Sequence, residues 1–410
     1  MQKQLGEVLL TVAGLEQNET VQNSYPVIGD KGVTIGELRI RVTYAVDIIL
    51  PTVDYNQLLA LMILPDMTVV RNVAAVTKEK SVTARHLVHI FQARDMAEGF
   101  IRTIVKEEIE RTDTIEVLFR GNTVCTKAMD HFMKLVGSLY QREVLMPIIE
   151  VITRETASLE VQKEKIGSGD DWKRNLARLQ KLTELLLNRI FQSVNHCPPP
   201  IRSLLRFIRD SASEKFPQAP NVKHTSVTSF IFLRFFVPAV LNPKHFGLTA
   251  NMPSELHMRI FTLVAGVLQK LANLTRYRDQ EVHINALNPF LDENFPKTRL
   301  FIDELVDVPT SSFKVMQRRM SIANSIQIDV HLAGLAREIE ACRAPLSALI
   351  DTDPLIPKLF ESLDNINKKL EAVKVQINQE ETGLAGLSKS SGDGLDTLLS
   401  KVIQTEIKPA

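Results

Sequence analysis

Cysteine is scarce. The chain of 410 residues has three, Cys125, Cys197 and Cys342, an odd number set far apart, which excludes a disulfide framework and a cysteine zinc site and leaves reduced thiols as the simple reading. Charge of one sign is also lacking, since 49 Lys plus Arg face 48 Asp plus Glu. So near-complete a balance gives no general attraction to nucleic acid or to an anionic membrane. The start, MQKQLGEVLL, has no basic flank leading into an apolar core, and no uninterrupted apolar run reaches membrane-spanning length. These absences point to a cytoplasmic protein that binds no nucleic acid and touches membranes only peripherally. Chemical motifs are missing as well. There is no G-x-x-x-x-G-K-[ST] loop, no G-x-G-x-x-G after a strand, no G-x-S-x-G elbow and no H-E-x-x-H, and the nine histidines are scattered. No metal site and no self-contained active site is therefore expected, but a chain that completes another protein's site is not excluded.

What is present divides along the chain. From Glu37 to Asp47, Leu38, Ile40, Val42, Tyr44 and Val46 alternate with Arg39, Arg41 and Thr43, the period of a half-buried strand. Val8 to Val12 offers a second strand, and Gly29-Asp30-Lys31-Gly32 a turn. After Pro51 the spacing becomes helical and stays so, with breaks at Gly167–Asp171, Pro198–Pro200, Pro217–Pro220 and Asn251–Pro253. Leu176, Leu179, Leu182, Leu186 and Ile190 form one apolar face of a helix that Asp170 or Asp171 would cap. Farther on, Ile356, Leu359, Leu363, Ile366, Leu370, Val373 and Ile377 keep a 3,4 spacing, a seam that either docks on the main body or forms a weak dimer through 356–377. The expected organisation is a mainly all-α protein: a β-rich segment at 1–51, a helical domain at 52–308, a helical extension at 309–380 and a flexible tail at 381–410.

Two segments stand out. In Val117-Leu118-Phe119-Arg120-Gly121-Asn122-Thr123 an apolar stretch ends at Arg120 on a turn-prone Gly-Asn pair, and Asn122 or Thr123 would cap a helix starting near Val124. Arg120 would sit on an exposed connection, either as a plain surface arginine or as something more. The second segment runs from Phe230 through Leu233, Arg234 and Phe235 to Pro238, Asn242 and Pro243. A helix apolar on every side belongs in a core, and Arg234 within it needs carbonyls or a carboxylate around its guanidinium. Pro238 removes the N–H that would pair with the Arg234 carbonyl and should kink the helix; Pro243 should do the same to the carbonyl of Ala239. At this point Arg234 reads equally as a positioning device and as a structural arginine in a core network.

Together the blocks VLFRGNT and FLRFFVPAVLNP resemble the two signatures of the RasGAP family, whose members include neurofibromin. Thr126-Lys127, Phe132-Met133-Lys134 and Leu268-Gln269-Lys270-Leu271-Ala272-Asn273 extend the resemblance over roughly residues 60 to 305. The resemblance implies a GTPase-activating protein that lends Arg120 as a finger to a Ras-type small GTPase, with Arg234 holding the finger loop through main-chain oxygens. It implies that Leu233, Lys127, Asn242, Gln269 and Asn273 face the GTPase. GTP and Mg²⁺ would belong to that partner and the chain itself would need no cofactor; recruitment to the plasma membrane would be peripheral. The alternative on the same fold is a non-catalytic GTPase-binding scaffold, a kind of relative that loses the finger arginine, which this chain keeps. One departure bears on the partner. Many members place a lysine where this chain has Ala265-Gly266, and Lys270 follows four residues later, so either Ras or Rap fits as the substrate. The strand-rich start resembles the end of a C2-type domain, without an aspartate cluster for calcium.

Overall fold

The computed structural model describes residues 6–10, 20–29, 32–43, 47–167, 169, 171–307 and 325–387. It divides into two compact units, one of residues 1–55 with 361–410 and one of residues 56–360.

In the first unit, β1 (Thr20–Ile28) and β2 (Thr34–Thr43) form an antiparallel ribbon with Tyr25 opposite Leu38 and Val21 opposite Val42. Alternation therefore puts Val21, Tyr25, Val27, Leu38, Ile40 and Val42 on one face, and Arg39 and Arg41 on the other. Gly32 turns the ribbon with φ of 70°, and its N–H bonds the Gly29 carbonyl at 2.9 Å. The strand expected at Val8–Val12 is not seen in its described part: Glu7 bridges to Ile28, residues 8–10 have no strand, and 11–19 lie outside the described residues. The pairing strand is instead β1, whose alternation is interrupted by Asn23, Ser24 and Pro26. Tyr44 and Val46 also lie outside the description.

The second unit is helical, as the spacing after Pro51 predicts. Its helices are α1 (Asn56–Met62), α2 (Thr68–Val76), α3 (Lys80–Ala93), α4 (Ala97–Arg111), α5 (Val124–Ile152), α6 (Trp172–Gln192), α7 (Pro199–Lys215), α8 (Val222–Phe230), α9 (Val237–Leu241), α10 (Glu255–Ala272), α11 (Asn288–Val306), α12 (Ile328–Ala341) and α13 (Arg343–Ser347). Asp171 caps α6 by accepting from the N–H groups of Lys173 and Arg174. Between α8 and α9 the chain stays helical through a π-turn, Ile231–Phe236. The stretch Val222–Leu241 has the length and mean hydropathy, 1.4, of a membrane span, although Lys223, His224 and Arg234 interrupt it. It is a core helix: 67% of the window is buried, and Phe230, Ile231, Phe232, Phe235 and Phe236 are at most 1% exposed. Gly137 on α5 makes room for it, because a Cβ there would meet the Phe235 ring at 3.0 Å and Ile201 at 2.8 Å.

Residues 328–360 of the expected extension pack inside this unit, with α12 laid along α3. Gly334 is the point of closest approach, since a Cβ would stand 2.2 Å from the His86 ring. Histidines that look scattered in sequence meet there. His86 Nδ1 and His331 Nδ1 are 3.2 Å apart, and the His89 and His331 rings stack at 4.2 Å. Burial, then Arg85 and His331, hold the His86 pKa down at about 3, and burial with His89 holds His331 at about 4. Finally α14 (Leu355–Leu387) carries the heptad seam. Ile356, Leu359, Leu363 and Ile366 are at most 2% exposed, whereas Ile377 is 40% exposed, so half the seam is already covered within one chain. The helix includes 381–387, which the sequence assigned to the tail; 388–410 lie outside the described residues.

Two predictions arise from the α3–α12 seam. A histidine with a depressed folded pKa stabilises fully above its unfolded value of 6.5, and that stability is lost as pH falls toward the folded pKa. Thermal melts should therefore show the midpoint dropping between pH 6.5 and 5, above the carboxylate range, with His331→Gln flattening the drop. Gly334→Ala should melt below the wild type by about 1–3 kcal/mol of stability, the usual cost of overpacking; a melt equal to wild type would show that His86 moves aside freely.

Candidate functional site

The site begins with a short 3₁₀ turn, Ile115–Val117, and ends at the first turn of α5. Leu118 and Phe119 turn inward, 3% and 1% exposed, while Arg120, Gly121 and Asn122 are exposed. Phe119 pays for this reversal with a left-handed backbone, φ of 57°, a strained conformation for a bulky residue worth about 1–3 kcal/mol. Its ring lies against that of Phe230 with centroids 4.8 Å apart. Burying the ring thus holds the backbone that points Arg120 outward. The Arg120 N–H bonds the Val117 carbonyl at 3.0 Å, and among the described residues nothing partners its guanidinium. Thr123 caps α5: its Oγ1 accepts from the Thr126 N–H at 3.2 Å, Thr126 Oγ1 accepts from the Thr123 N–H at 3.1 Å, and the Thr123 hydroxyl donates to Glu108 at 3.1 Å.

Arg234 lies in the π-turn, its side chain 18% exposed. Pro238 has no N–H to offer the Arg234 carbonyl, and the segment before it is a π-turn. The chain widens by a residue there, and the Val237 N–H reaches back to the carbonyl of Phe232. Pro243 lies beyond the end of α9, so it interrupts no helix. Widening changes which carbonyls are free. Arg234 Nη1 donates to the Ser229 carbonyl at 3.0 Å, and Gln141 Nε2 from α5 donates to the Phe235 carbonyl at 2.5 Å. Arg234 Nη2 crosses to the Phe119 carbonyl on the finger loop. Asp130 Oδ1 stands 3.9 Å from Arg234 Nε and accepts no hydrogen bond, so it contributes Coulombic attraction only. Burial lowers the Arg234 pKa, opposed by Asp130, while burial raises that of Asp130 itself. The fork of Arg234 thus bonds main-chain oxygens of its own turn and of the loop that bears Arg120.

The other expected residues fall in two groups. Lys127 sits half-buried in the first turn of α5, its N–H on the Thr123 carbonyl, and Leu233 is half-buried beside Arg234. Gln269 and Asn273 close α10, where Asn273 Nδ2 and its N–H both bond the Gln269 carbonyl, at 2.8 and 3.1 Å. Thr228 ties that end to α8 by donating to the Ala272 carbonyl at 2.6 Å. Asn242, exposed, ends α9 and has no hydrogen bond to the finger loop among the described residues. Lys270 is engaged internally: Nζ is 3.1 Å from Glu281 and 4.6 Å from the Tyr277 ring centroid. It is therefore poorly placed to replace a lysine at Gly266. Sequence reasoning missed Glu108, Asp130 and Gln141, whose roles come from helix packing and carry no local signal. Thr126 entered only as part of the family frame.

The network predicts the behaviour of Arg234 variants. Arg234→Lys keeps a charge but replaces the planar fork by a single nitrogen, so it and Arg234→Ala should both loosen residues 118–123, read as faster amide exchange there. Each should also lower stability by about 1–3 kcal/mol per abandoned carbonyl. Protection of the loop equal to wild type would show that Phe119 alone holds it.

Comparison with known proteins agrees with this geometry. The family model described as GTPase-activator protein for Ras-like GTPase matches residues 100–170 and 164–273, which include the loop that bears Arg120 and the π-turn. A probable Ras GTPase-activating-like protein, ngap, of Dictyostelium discoideum is 28% identical over 82% of this chain and 38% of its own length. Ras GTPase-activating protein 1 of Rattus norvegicus is 30% identical over 68% of this chain and 27% of its own. RasGAP-activating-like protein 1 of Homo sapiens is 32% identical over 68% and 38%. The chain thus spans well under half the length of these relatives.

Proposed function

The chain carries a helical domain of the RasGAP family, and on that basis we propose that it stimulates GTP hydrolysis by a Ras-type small GTPase, inserting Arg120 into the partner's active site. One observation carries the reading: Arg120 is exposed and without an internal partner, on a loop whose preceding carbonyl is gripped by the buried Arg234. An arginine with no intramolecular bond has none to break on insertion, and a loop already fixed has little entropy left to lose. As phosphoryl transfer proceeds, negative charge grows on oxygens of the β- and γ-phosphates. Guanidinium, permanently charged and forked, neutralises it bidentately in a site closed to water. For Ras-type pairs in general such a finger is worth about 10³–10⁵ in rate. The nucleotide and its Mg²⁺ are the partner's.

Gly266 and the engaged Lys270 bear on which GTPase is favoured. Without a free lysine at this end of α10, charge contributes less to complex formation here, which favours Rap or another Ras-like partner over Ras itself. Single-turnover hydrolysis with Ras and Rap proteins tests both parts. Arg120→Ala should slow stimulated hydrolysis by about a hundredfold or more while the complex still forms. Wild-type stimulation by the alanine variant would refute the finger.

A further inference from the structure

The carbonyls of the two residues that flank Arg120 are both held, from different directions. The carbonyl before it, on Phe119, receives Arg234, and the carbonyl after it, on Gly121, receives the hydroxyl of Thr126 at 3.0 Å. Thr126 is 2% exposed, so its own hydroxyl is shielded from water. Its Oγ1 is also within 3.1 Å of the Thr123 carbonyl and 3.3 Å of Thr123 Oγ1, and a hydroxyl has a single proton to give. The surroundings decide where it goes. The Thr123 carbonyl already accepts from the Lys127 N–H at 3.1 Å. Thr123 Oγ1 already accepts from the Thr126 N–H, and its own proton is drawn to the Glu108 carboxylate, an acceptor only when ionised. The Gly121 carbonyl receives no main-chain N–H among the described residues, and it is the nearest acceptor.

We propose that Thr126 is a positioning residue for Arg120, its hydroxyl kept on the Gly121 carbonyl by the Thr123–Glu108 pair, so that the carbonyls of both residues flanking the finger are clamped. This rests on the finger reading above. A plain helix cap would also use Thr126, through the Thr123 N–H, and predicts a loss of stability alone. The clamp predicts a loss of rate that works through Arg120.

The experiment uses the full chain and a GTP-loaded Ras-type GTPase at saturating activator, with affinity for the GTPase and thermal melting measured alongside. Thr126→Val should slow stimulated hydrolysis by about tenfold or more, since small misplacements of a catalytic group cost rates of this order. Affinity for the GTPase should stay near wild type, and Thr126→Ser should restore the rate. In an Arg120→Ala background the same Thr126→Val change should have no further effect. Should Thr126→Val fail to fold, Glu108→Met, which keeps the side chain's length but leaves the Thr123 hydroxyl without this acceptor, should slow the wild type and leave Arg120→Ala unaffected. Full activity of Thr126→Val, or equal slowing with and without Arg120, would overturn the clamp while the finger stood. If Arg120→Ala itself were fully active, the finger reading and the clamp would fall together.

Discussion

The contact on which the site depends is the bond from the Arg234 guanidinium to the Phe119 carbonyl. It joins two segments more than a hundred residues apart, and it pairs a buried charge with a strained backbone. Neither end is stable by itself. A mostly buried guanidinium without acceptors costs several kcal/mol, and a left-handed phenylalanine is disfavoured. Joined, the charge gains its acceptor and the loop gains its fixed carbonyl. Packing the Phe119 ring against Phe230 then sets the same loop from its apolar side.

The π-turn makes that contact available. In a regular helix each carbonyl already accepts an N–H from four residues on, so a side chain can use only its second lone pair. Here the widened turn lets Arg234 take the Ser229 carbonyl and Gln141 take that of Phe235. Proline at 238 makes the widening inexpensive, since one bond of the α-helical ladder is already forfeit. Close packing does the rest. Gly137 admits the Phe235 ring, and the phenylalanines around it leave the turn no room to relax.

These devices were unevenly legible in the sequence. Thr123 and Asp171 could be read as caps because capping is decided by residue type within one turn. The need of Arg234 for main-chain oxygens followed from its apolar neighbours, for burial of charge obeys the same rule wherever it occurs. Which oxygens it meets did not follow, because proline predicts a missing bond without saying whether the helix bends or widens. The left-handed Phe119 was illegible for a related reason: nothing local favours it, and only a pocket formed by α8 and the π-turn repays its strain. β1 was hidden by Asn23, Ser24 and Pro26, which break its alternation, and the meeting of His86, His89 and His331 was hidden by sequence distance.

The two arginines need opposite surroundings, and the fold separates them by a single carbonyl. Arg234 works by being satisfied: its bonds are made within the chain and stay made. In the proposed role Arg120 would work by being unsatisfied, since any internal carboxylate would have to be displaced, against a charge-assisted bond, before the side chain could reach a phosphate. An exposed side chain is normally also a mobile one, and mobility would return the advantage as lost entropy on binding. Fixing the backbone resolves the conflict. With the Phe119 and Gly121 carbonyls held, the backbone around Arg120 is restrained from both sides, and in the proposed role its unpaired guanidinium would meet a phosphate without first breaking an internal bond.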